Sequence, residues 1–152
     1  MPKRWKDDQA LVDALSENMM TAMSMFPKRM IRIDELVHTY HMPMSHIQIL
    51  SLVENRNRSI GQLSSQLGIA KPNITPLVDS LHERGYVERV RSDSDRRIVQ
   101  VHILPDGKAC LDEIRQTIAR QILDWPDSIS RTDAKELSTV LAALSKLMSM
   151  MD

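Results

Sequence analysis

The period of the hydrophobic pattern changes at Gly85, and this change constrains the fold more than any other feature of the chain. Before it, apolar residues recur every three or four positions, which is the period of a helix. These residues are Ile74, Leu77, Val78 and Leu81. After it, apolar and polar residues alternate, which is the period of a strand. The apolar members are Val99, Val101 and Ile103. The pattern therefore predicts a helix over 71–84 and strands over 86–91 and 97–103.

A second short helix precedes the helix at 71–84. Ser59 and Gln62 have the spacing of a capping box, in which each side chain accepts from the other residue's backbone N–H. Gly68 is suited to end this helix, and only Gly68-Ile69-Ala70 separates it from the next. The residues between the strands, 92–96, are polar and favour a turn. Two short helices with a tight turn, followed by a charged hairpin, predict a winged helix-turn-helix lobe.

Amphipathic helices are predicted on the N-terminal side of this lobe. The first covers about 8–25, and Pro27 either ends it or opens a second helix. Its apolar stripe is Leu11, Leu15, Met19, Met23 and Phe26. A second stripe follows, formed by Met30, Ile33, Val37 and Tyr40. Ser45 is expected to cap a short helix after Pro43.

Two more amphipathic helices are predicted on the C-terminal side. Pro105 opens a helix that extends to about Trp125, and Ser130 or Thr132 caps the last one. Their apolar stripes need a partner surface, which a second copy of the chain supplies most simply, since most oligomers are twofold. The expected dimer interface contains Leu11, Leu15, Ile118, Ile122, Leu137, Leu141, Leu144 and Met148.

The composition favours one mainly α (α+β) domain over 1–152, divided into N-terminal helices (1–44), a lobe (45–104) and C-terminal helices (105–152). A single cysteine excludes an internal disulfide, and 4 glycines give no Gly-rich phosphate loop. No stretch of apolar residues is long enough for a membrane span, and the first residues lack the apolar core of a signal peptide. No catalytic Ser/His/Asp or Cys/His set is recognisable. We expect a cytoplasmic protein that is not an enzyme and has no cofactor and no membrane association.

The charges of the chain are unevenly distributed, although 20 Lys and Arg balance 20 Asp and Glu. Residues 56–97 contain eight basic and five acidic side chains, so this segment carries a net charge of +3 and the remainder −3. A basic centre between acidic ends is typical of a local contact with an anionic partner such as DNA. The alternative is a solvated face of mixed charge.

The helix at 71–84 presents small and polar residues on the side opposite its apolar stripe. They are Lys71, Pro72, Asn73, Thr75, Pro76 and Ser80. Such a face suits close approach in a major groove, where Asn73 can pair with adenine. Thr75 can meet a thymine methyl group or a phosphate, and Pro76 offers apolar contact only. The alternative is an ordinary exposed helix face.

The predicted hairpin carries a second group of candidate DNA contacts. Asp95 and Arg97 are two residues apart, so they share a face of an extended segment, where the carboxylate can hold the guanidinium in one rotamer. An oriented arginine can enter a narrow minor groove. Arg89, Arg91 and Arg96 are candidates for phosphate contacts. The alternative is a solvated, salt-bridged turn that contributes about 0 to 1 kcal/mol.

The stretch from Ile60 to Gly107 resembles the DNA-binding core of the MarR family (multiple-antibiotic-resistance-type regulators), and the likeness extends over nearly the whole chain. The matching pieces are Leu63-Ser64-Ser65-Gln66-Leu67-Gly68, Leu77-Val78-Asp79-Ser80-Leu81, Gly85-Tyr86-Val87, Asp95-Arg96-Arg97 and Gly107. The resemblance implies a triangular homodimer whose terminal helices form the base and whose lobes each bind half of a palindrome in double-stranded DNA. It also implies that Arg97 reaches the minor groove, held by Asp95, and that a small phenolic ligand or an oxidant releases the DNA.

Three positions depart from the family pattern. Leu104 stands where a threonine usually caps the helix after the wing, a loss of about 1 kcal/mol of capping. Pro76 lies inside the recognition helix, where many relatives have a basic residue, and it removes one backbone hydrogen bond. Pro27 divides what is otherwise one long N-terminal helix.

Three further groups of residues have a functional and a structural interpretation. His38, His41 and His46 either gather around a metal ion or are ordinary exposed or hydrogen-bonded histidines. Cys110, near the start of a helix, is either a reactive thiol or a small buried hydrophobe. The methionines of residues 19–44 either line a pocket for a small aromatic ligand, beside the short helix at 45–55, or fill the dimer core.

The leading functional hypothesis is a homodimeric, sequence-specific DNA-binding regulator, most simply a repressor relieved by a small aromatic ligand. The alternative is a winged helix that binds and sequesters another regulator. Salt-dependent binding to duplex DNA distinguishes the first from the second.

Overall fold

The computed structural model describes residues 4–25 and 28–151. Within them, a 3-10 turn (Trp5–Asp7) precedes seven helices and three short strands. The helices are α1 (Gln9–Met25), α2 (Ile33–Tyr40), α3 (Met44–Val53), α4 (Ile60–Leu67), α5 (Lys71–Glu83), α6 (Pro105–Leu123) and α7 (Arg131–Ser149). The strands are β1 (Arg58–Ser59), β2 (Val87–Arg91) and β3 (Val99–Ile103). The mainly helical prediction with a small antiparallel sheet is confirmed. Phe26 and Pro27 lie outside the described residues.

The helix-turn-helix forms where the sequence predicts it. Ser59 and Gln62 make both bonds of the capping box at the start of α4. Gly68 ends α4 with φ +64°, in the left-handed region that a residue without Cβ adopts without strain. After two more residues, α5 begins at Lys71.

The sheet has the order β1-β3-β2 and is antiparallel throughout. The β2–β3 hairpin is the predicted one, and Val87 pairs with Ile103 while Arg91 pairs with Val99. Strand β1 pairs Arg58 with Val101, and the sequence pattern does not reveal it, because two residues are too few to show alternation. The hairpin is thereby anchored to the chain that leads into α4.

The hydrophobic core lies between α3, α5, α6 and the sheet. The side chains of Ile74, Val78 and Leu81 on α5 are completely buried. They pack in one cluster with residues of α3, β2, β3 and α6, among them Leu50, Val87, Val101 and Leu111. Each fully buried aliphatic side chain contributes about 1.5–3 kcal/mol. This core therefore fixes the rotation of α5 about its axis.

The junction between β2 and α6 requires a glycine. A Cβ on Gly107 would lie 2.4 Å from the Tyr86 carbonyl oxygen and 2.9 Å from Cγ1 of Ile103. The same carbonyl accepts the backbone N–H of Leu104 at 2.8 Å. The close approach of backbone to backbone places α6 directly against the start of the hairpin.

Polar side chains attach α2 to the long helix α6. Gln121, only 2% exposed, accepts the backbone N–H of Arg32 at 2.8 Å and donates to the Arg32 carbonyl at 3.3 Å. At the other end of α2, the Tyr40 hydroxyl is hydrogen-bonded to the Thr117 hydroxyl at 2.8 Å. Because both ends are attached, α2 and α6 form one unit.

The outer helices differ from the rest of the chain. Neither α1 nor α7 has a buried residue. Ser130, rather than Thr132, caps α7, and its hydroxyl accepts the backbone N–H of Asp133 at 3.1 Å. Over the described residues, no helix combines the length and apolar character that crossing a membrane requires.

The prediction for the start of α3 is wrong. Ser45 is the second residue of this helix, and Pro43 occupies the N-cap without a side-chain hydrogen bond. A proline with extended ψ can begin a helix here, because the backbone N–H groups of the first turn need no intrahelical partner.

Candidate nucleic-acid interface

The polar face of α5 is exposed as predicted. Lys71, Pro72, Asn73, Thr75 and Pro76 are exposed, and Ser80 is half-buried. Complete burial of the opposite face prevents the helix from turning these residues inward. The helix thus presents a surface with few large side chains, which suits close approach to a groove.

Two prolines shape the first turns of α5. Pro72 lies in the first turn, where its missing N–H leaves no helical bond unmade. Pro76 lies inside, yet α5 is continuous from Lys71 to Glu83. The Thr75 hydroxyl donates to the Lys71 carbonyl at 3.3 Å. Because its proton is used there, Thr75 is better placed for an apolar methyl contact than as a phosphate donor.

The tip of the hairpin, which we call the wing (residues 91–97), is organised by Asp95. Its Oδ1 accepts the backbone N–H of Arg97 at 3.0 Å, and its carbonyl accepts the N–H of Ile98 at 3.0 Å. Within residues 4–25 and 28–151, no ion pair joins Asp95 to the Arg97 guanidinium, so the structure does not show the expected pairing. An N–H two residues ahead is within reach of an Asp side chain, whereas a guanidinium must first lose the freedom of a long side chain.

The cations of the wing are available to a ligand. Arg91, Arg96 and Arg97 are exposed. None of the three forms an ion pair within residues 4–25 and 28–151. The wing also contains the exposed carboxylates Asp93 and Asp95, so residues 91–97 carry a net charge of +1.

Arg89 differs from these three, because its guanidinium is already paired. Its Nη2 lies 2.5 Å from Oδ1 of Asp79 and 3.3 Å from the Thr75 carbonyl oxygen. In this structure, the guanidinium of Arg89, which the sequence predicts to contact phosphate, links β2 to α5. The sequence does not identify Asp79 as a partner, because an acidic residue on an exposed helix face carries no local signal for the residue that it pairs with.

Arg84 makes a long-range contact that the sequence does not reveal. At the end of α5, it donates to the carbonyls of Tyr40 and His41, at 3.3 and 2.5 Å. His41 ends α2 with φ +49°, in the left-handed region. More than forty residues separate the partners, so no local spacing could indicate this contact. The recognition helix is thereby attached to α2.

The helix after the wing begins without a side-chain cap, as predicted. Leu104 occupies the N-cap position of α6, and its side chain makes no capping bond.

The three histidines do not form a cluster. The rings of His38 and His41 have centroids 6.2 Å apart, whereas His46 is buried in α3. Among residues 4–25 and 28–151, no three His, Cys, Asp or Glu side chains could together hold a metal ion. His46 is 6% exposed, and neither ring nitrogen has a hydrogen-bond partner in this part of the chain. Burial, followed by the charge of Arg84, lowers the pKa of His46.

Cys110 is a buried residue rather than a reactive thiol. It is 7% exposed and belongs to the core cluster. Burial raises the pKa of the Cys110 thiol, against a smaller opposing effect of a hydrogen bond with Tyr86. Burial thus opposes the activation that a position near a helix N-terminus can give a thiol.

The methionine-rich segment divides between core and surface. Met42 is buried, and Met44 packs against the core. Met23, Met25 and Met30 line an open apolar cleft of about 720 Å³. The opposite wall is formed by α7 residues Leu137, Val140, Leu141 and Leu144. This cleft lies between the end of α1 and α7 rather than beside the helix at 45–55, where the sequence predicts a ligand pocket.

Comparisons with known proteins agree with this architecture. A family model described as MarR family matches residues 42–98. The chain is 31% identical over 101 residues to the uncharacterized HTH-type transcriptional regulator YpoP of Bacillus subtilis, covering 66% of this chain and 68% of that protein. It is 29% identical over 106 residues to the transcriptional repressor MprA of Escherichia coli, covering 68% of this chain and 58% of the repressor, which is less than two thirds of its length.

A solved structure shows the same fold. The MarR family protein from Bacillus stearothermophilus superimposes with a TM-score of 0.65 at 22% identity, covering 93% of this chain and 97% of that one. The curated relatives are named as transcriptional regulators, which confirms the prediction of a regulator rather than an enzyme.

The buried His46 generates a prediction about pH. Because its pKa is lowered in the folded protein, the unfolded chain takes up the proton first as the pH falls below about 6.5. Through His46, the folded protein therefore loses stability as the pH falls from about 6.5 toward the lower pKa that His46 has in the folded protein. We expect His46→Leu to lose less stability than the wild type between about pH 7.5 and about pH 5.5 in urea unfolding. Equal losses would contradict this; exposed His38→Leu is the control.

Proposed function

Because the chain belongs to the MarR family, we propose that it is a homodimeric, cytoplasmic transcriptional repressor that binds a pseudo-palindromic site in double-stranded DNA. In this proposal, residues 45–104 bind DNA, and segments 1–44 and 105–152 form the dimer base. The name of the similar repressor MprA supports repression as the outcome.

One observation carries the DNA-binding part of this proposal. The exposed face of α5 lies beside a hairpin whose tip has three exposed arginines without ion pairs in the described part of the chain. A helix face of small residues fits a major groove about 12 Å wide, and arginines at a wing tip fit a neighbouring minor groove. Lys71, Asn73 and Ser80 then contact bases or phosphates in the major groove, while Arg97 enters the minor groove between the phosphate contacts of Arg91 and Arg96.

The dimer is supported by the two helices that the chain itself leaves uncovered. Exposed apolar residues follow one side of α7, including Leu141 and Leu144, at 40% and 49% exposure. On α1, Leu11 and Leu15 are 42% and 45% exposed, and Ile122 of α6 is 44% exposed. Apolar faces of this extent normally mark an interface in a soluble protein. A second copy offers the same faces, so a twofold contact covers both sets at once.

The first prediction concerns Arg97. Arg97→Ala removes the guanidinium but keeps the backbone N–H that Asp95 holds, so the wing keeps its shape. Binding to the duplex selected by the wild type from a random pool should weaken by about 1–3 kcal/mol, the scale of one groove contact. Fluorescence anisotropy titration measures this.

Arg131→Ala, at the exposed start of α7, is the matched control and should bind as the wild type does. If Arg97→Ala binds the selected duplex as tightly as the wild type does, the proposed contact between the wing and the minor groove is contradicted. If the wild type binds no duplex in a salt-dependent manner but captures another regulator, the protein-sequestering alternative replaces DNA binding.

The second prediction concerns Leu144. Because this side chain is half exposed in the single chain, Leu144→Lys should leave the lobe folded while placing a charge in the proposed interface. Sedimentation should show a monomer, and binding to the selected duplex should be lost. Ala142→Lys, on the opposite side of α7, is the control and should remain a dimer. A stable Leu144→Lys dimer would exclude α7 from the interface.

The third prediction concerns ligand relief, for which the apolar cleft between α1 and α7 is the candidate site. The cleft shares Leu137, Leu141 and Leu144 with the proposed interface, so a small aromatic ligand there competes with dimerisation. A tenfold release of DNA requires about 1.4 kcal/mol of differential binding. Phenolic and planar aromatic compounds should shift the melting temperature, dissociate the DNA complex and increase the monomer fraction. If none acts at millimolar concentration, ligand relief is removed from the proposal.

A further inference from the structure

The ion pair between Arg89 and Asp79 joins the two parts of the proposed DNA-binding surface. The backbone of Arg89 is fixed in β2 opposite the completely buried Val101. Its guanidinium contacts Oδ1 of Asp79 at 2.5 Å and the carbonyl of Thr75 at 3.3 Å. The same nitrogen, Nη2, makes both contacts, because the carbonyl of Thr75 points along the helix toward Asp79, which lies one turn later.

This pair is one of two side-chain attachments between α5 and β2. The other is near the corner where the helix leads into the strand, where Nδ1 of His82 lies 3.1 Å from the Val87 carbonyl oxygen. Measured from that corner, the Arg89 attachment is two residues along the strand, about 7 Å, and three residues back along the helix at Asp79, about 5 Å. The core holds the base of the hairpin against α5 through apolar contacts, and the Arg89 pair adds a directional contact between the helix and the strand farther from the corner.

We propose that the Asp79–Arg89 pair is a positioning device that sets the angle between the recognition helix and the wing, so that both reach their grooves together. The inference rests on the proposed function, because it assigns α5 and the wing to adjacent grooves. It makes Arg89 and Asp79 positioning residues rather than DNA contacts. The pair also explains why an acidic residue stands at position 79, on a surface where its negative charge otherwise repels phosphate.

A direct phosphate contact by Arg89 is the competing explanation, and it makes the opposite prediction for Asp79. If Arg89 binds phosphate, Asp79→Asn releases its guanidinium and removes a repulsive charge, so DNA binding becomes tighter. If the pair positions the wing, the same substitution weakens binding to the selected duplex even though the protein has become more positive. The direction of the change, not its size, therefore decides between them.

The experiment measures the affinities of full-length wild type, Asp79→Asn, Arg89→Gln and the double variant across a range of salt concentrations. The probes are the duplex selected by the wild type and a scrambled duplex of the same length and composition. Asp79→Asn should weaken binding to the selected duplex by about two- to fivefold, the range that partly exposed ion pairs cover. Its affinity for the scrambled duplex should be unchanged or higher. The double variant should weaken binding no more than either single one, because all three lose the same pair.

Two controls match these variants. Glu83→Gln removes an exposed negative charge from the same helix without breaking an ion pair of the described residues, so it should bind equally or more tightly. Arg91→Gln, on the same strand, should reduce the slope of log affinity against log salt by about 0.9, as loss of one phosphate contact does, whereas Arg89→Gln should leave it unchanged.

Each outcome has a distinct meaning. Tighter or equal binding of Asp79→Asn to the selected duplex, or a salt slope reduced by Arg89→Gln as by Arg91→Gln, would overturn the inference and leave the proposed function intact. A wild type that selects no duplex would overturn the proposed function and this inference with it. Asp79 is half exposed and Asn has nearly the same shape, so melting temperatures should confirm that the variant is folded.

Discussion

The complete burial of one face of α5 is the constraint on which the rest of the structure depends. Ile74, Val78 and Leu81 have no solvent exposure and are surrounded by α3, the sheet and α6. Rotating α5 by even a fraction of a turn would expose apolar side chains, at a cost of several kcal/mol of folding free energy, and would bury the polar side. The face that bears Asn73 and Thr75 is therefore determined by the core rather than by its own sequence. Replacing exposed residues there can change recognition without changing the fold.

Around this core, polar contacts decide how the elements are oriented relative to one another. Gln121 holds the start of α2, while Arg84 holds its end and ties it to the recognition helix. Arg89 does the same between the helix and the hairpin. Hydrogen bonds and ion pairs of this kind add modest stability but have defined directions. Apolar contacts hold the lobe together, and these directional contacts determine its internal angles.

The sequence predicted most of the lobe because its signals are local. The apolar spacing of α5, the Ser59–Gln62 box and the alternation around Val101 each act within a few residues, and each is present in the structure. Contacts between distant residues were not predictable, such as Arg84 with Tyr40 or Arg89 with Asp79.

Spacing along the sequence did not predict the contacts of a group that has more than one available partner or environment. The carboxylate of Asp95 accepts a backbone N–H and forms no ion pair with Arg97 among the described residues, and burial raises the pKa of Cys110 although this residue lies near a helix start. Periodicity identified the stripe of α7 but could not say what covers it, because an apolar face looks the same whether its partner belongs to the same chain or to another.

The absence of buried residues in α1 and α7 also affects how this protein folds. Helices of 17 and 19 residues gain little from helix propensity alone in water, and most helical stability in proteins comes from packing. The lobe carries its own core, whereas these two helices would obtain their packing from the proposed dimer. In the proposed dimer, folding of the terminal helices is coupled to assembly, so their thermal stability should rise with protein concentration while that of the lobe should not. Dilution alone would divide the molecule into a folded centre and frayed ends.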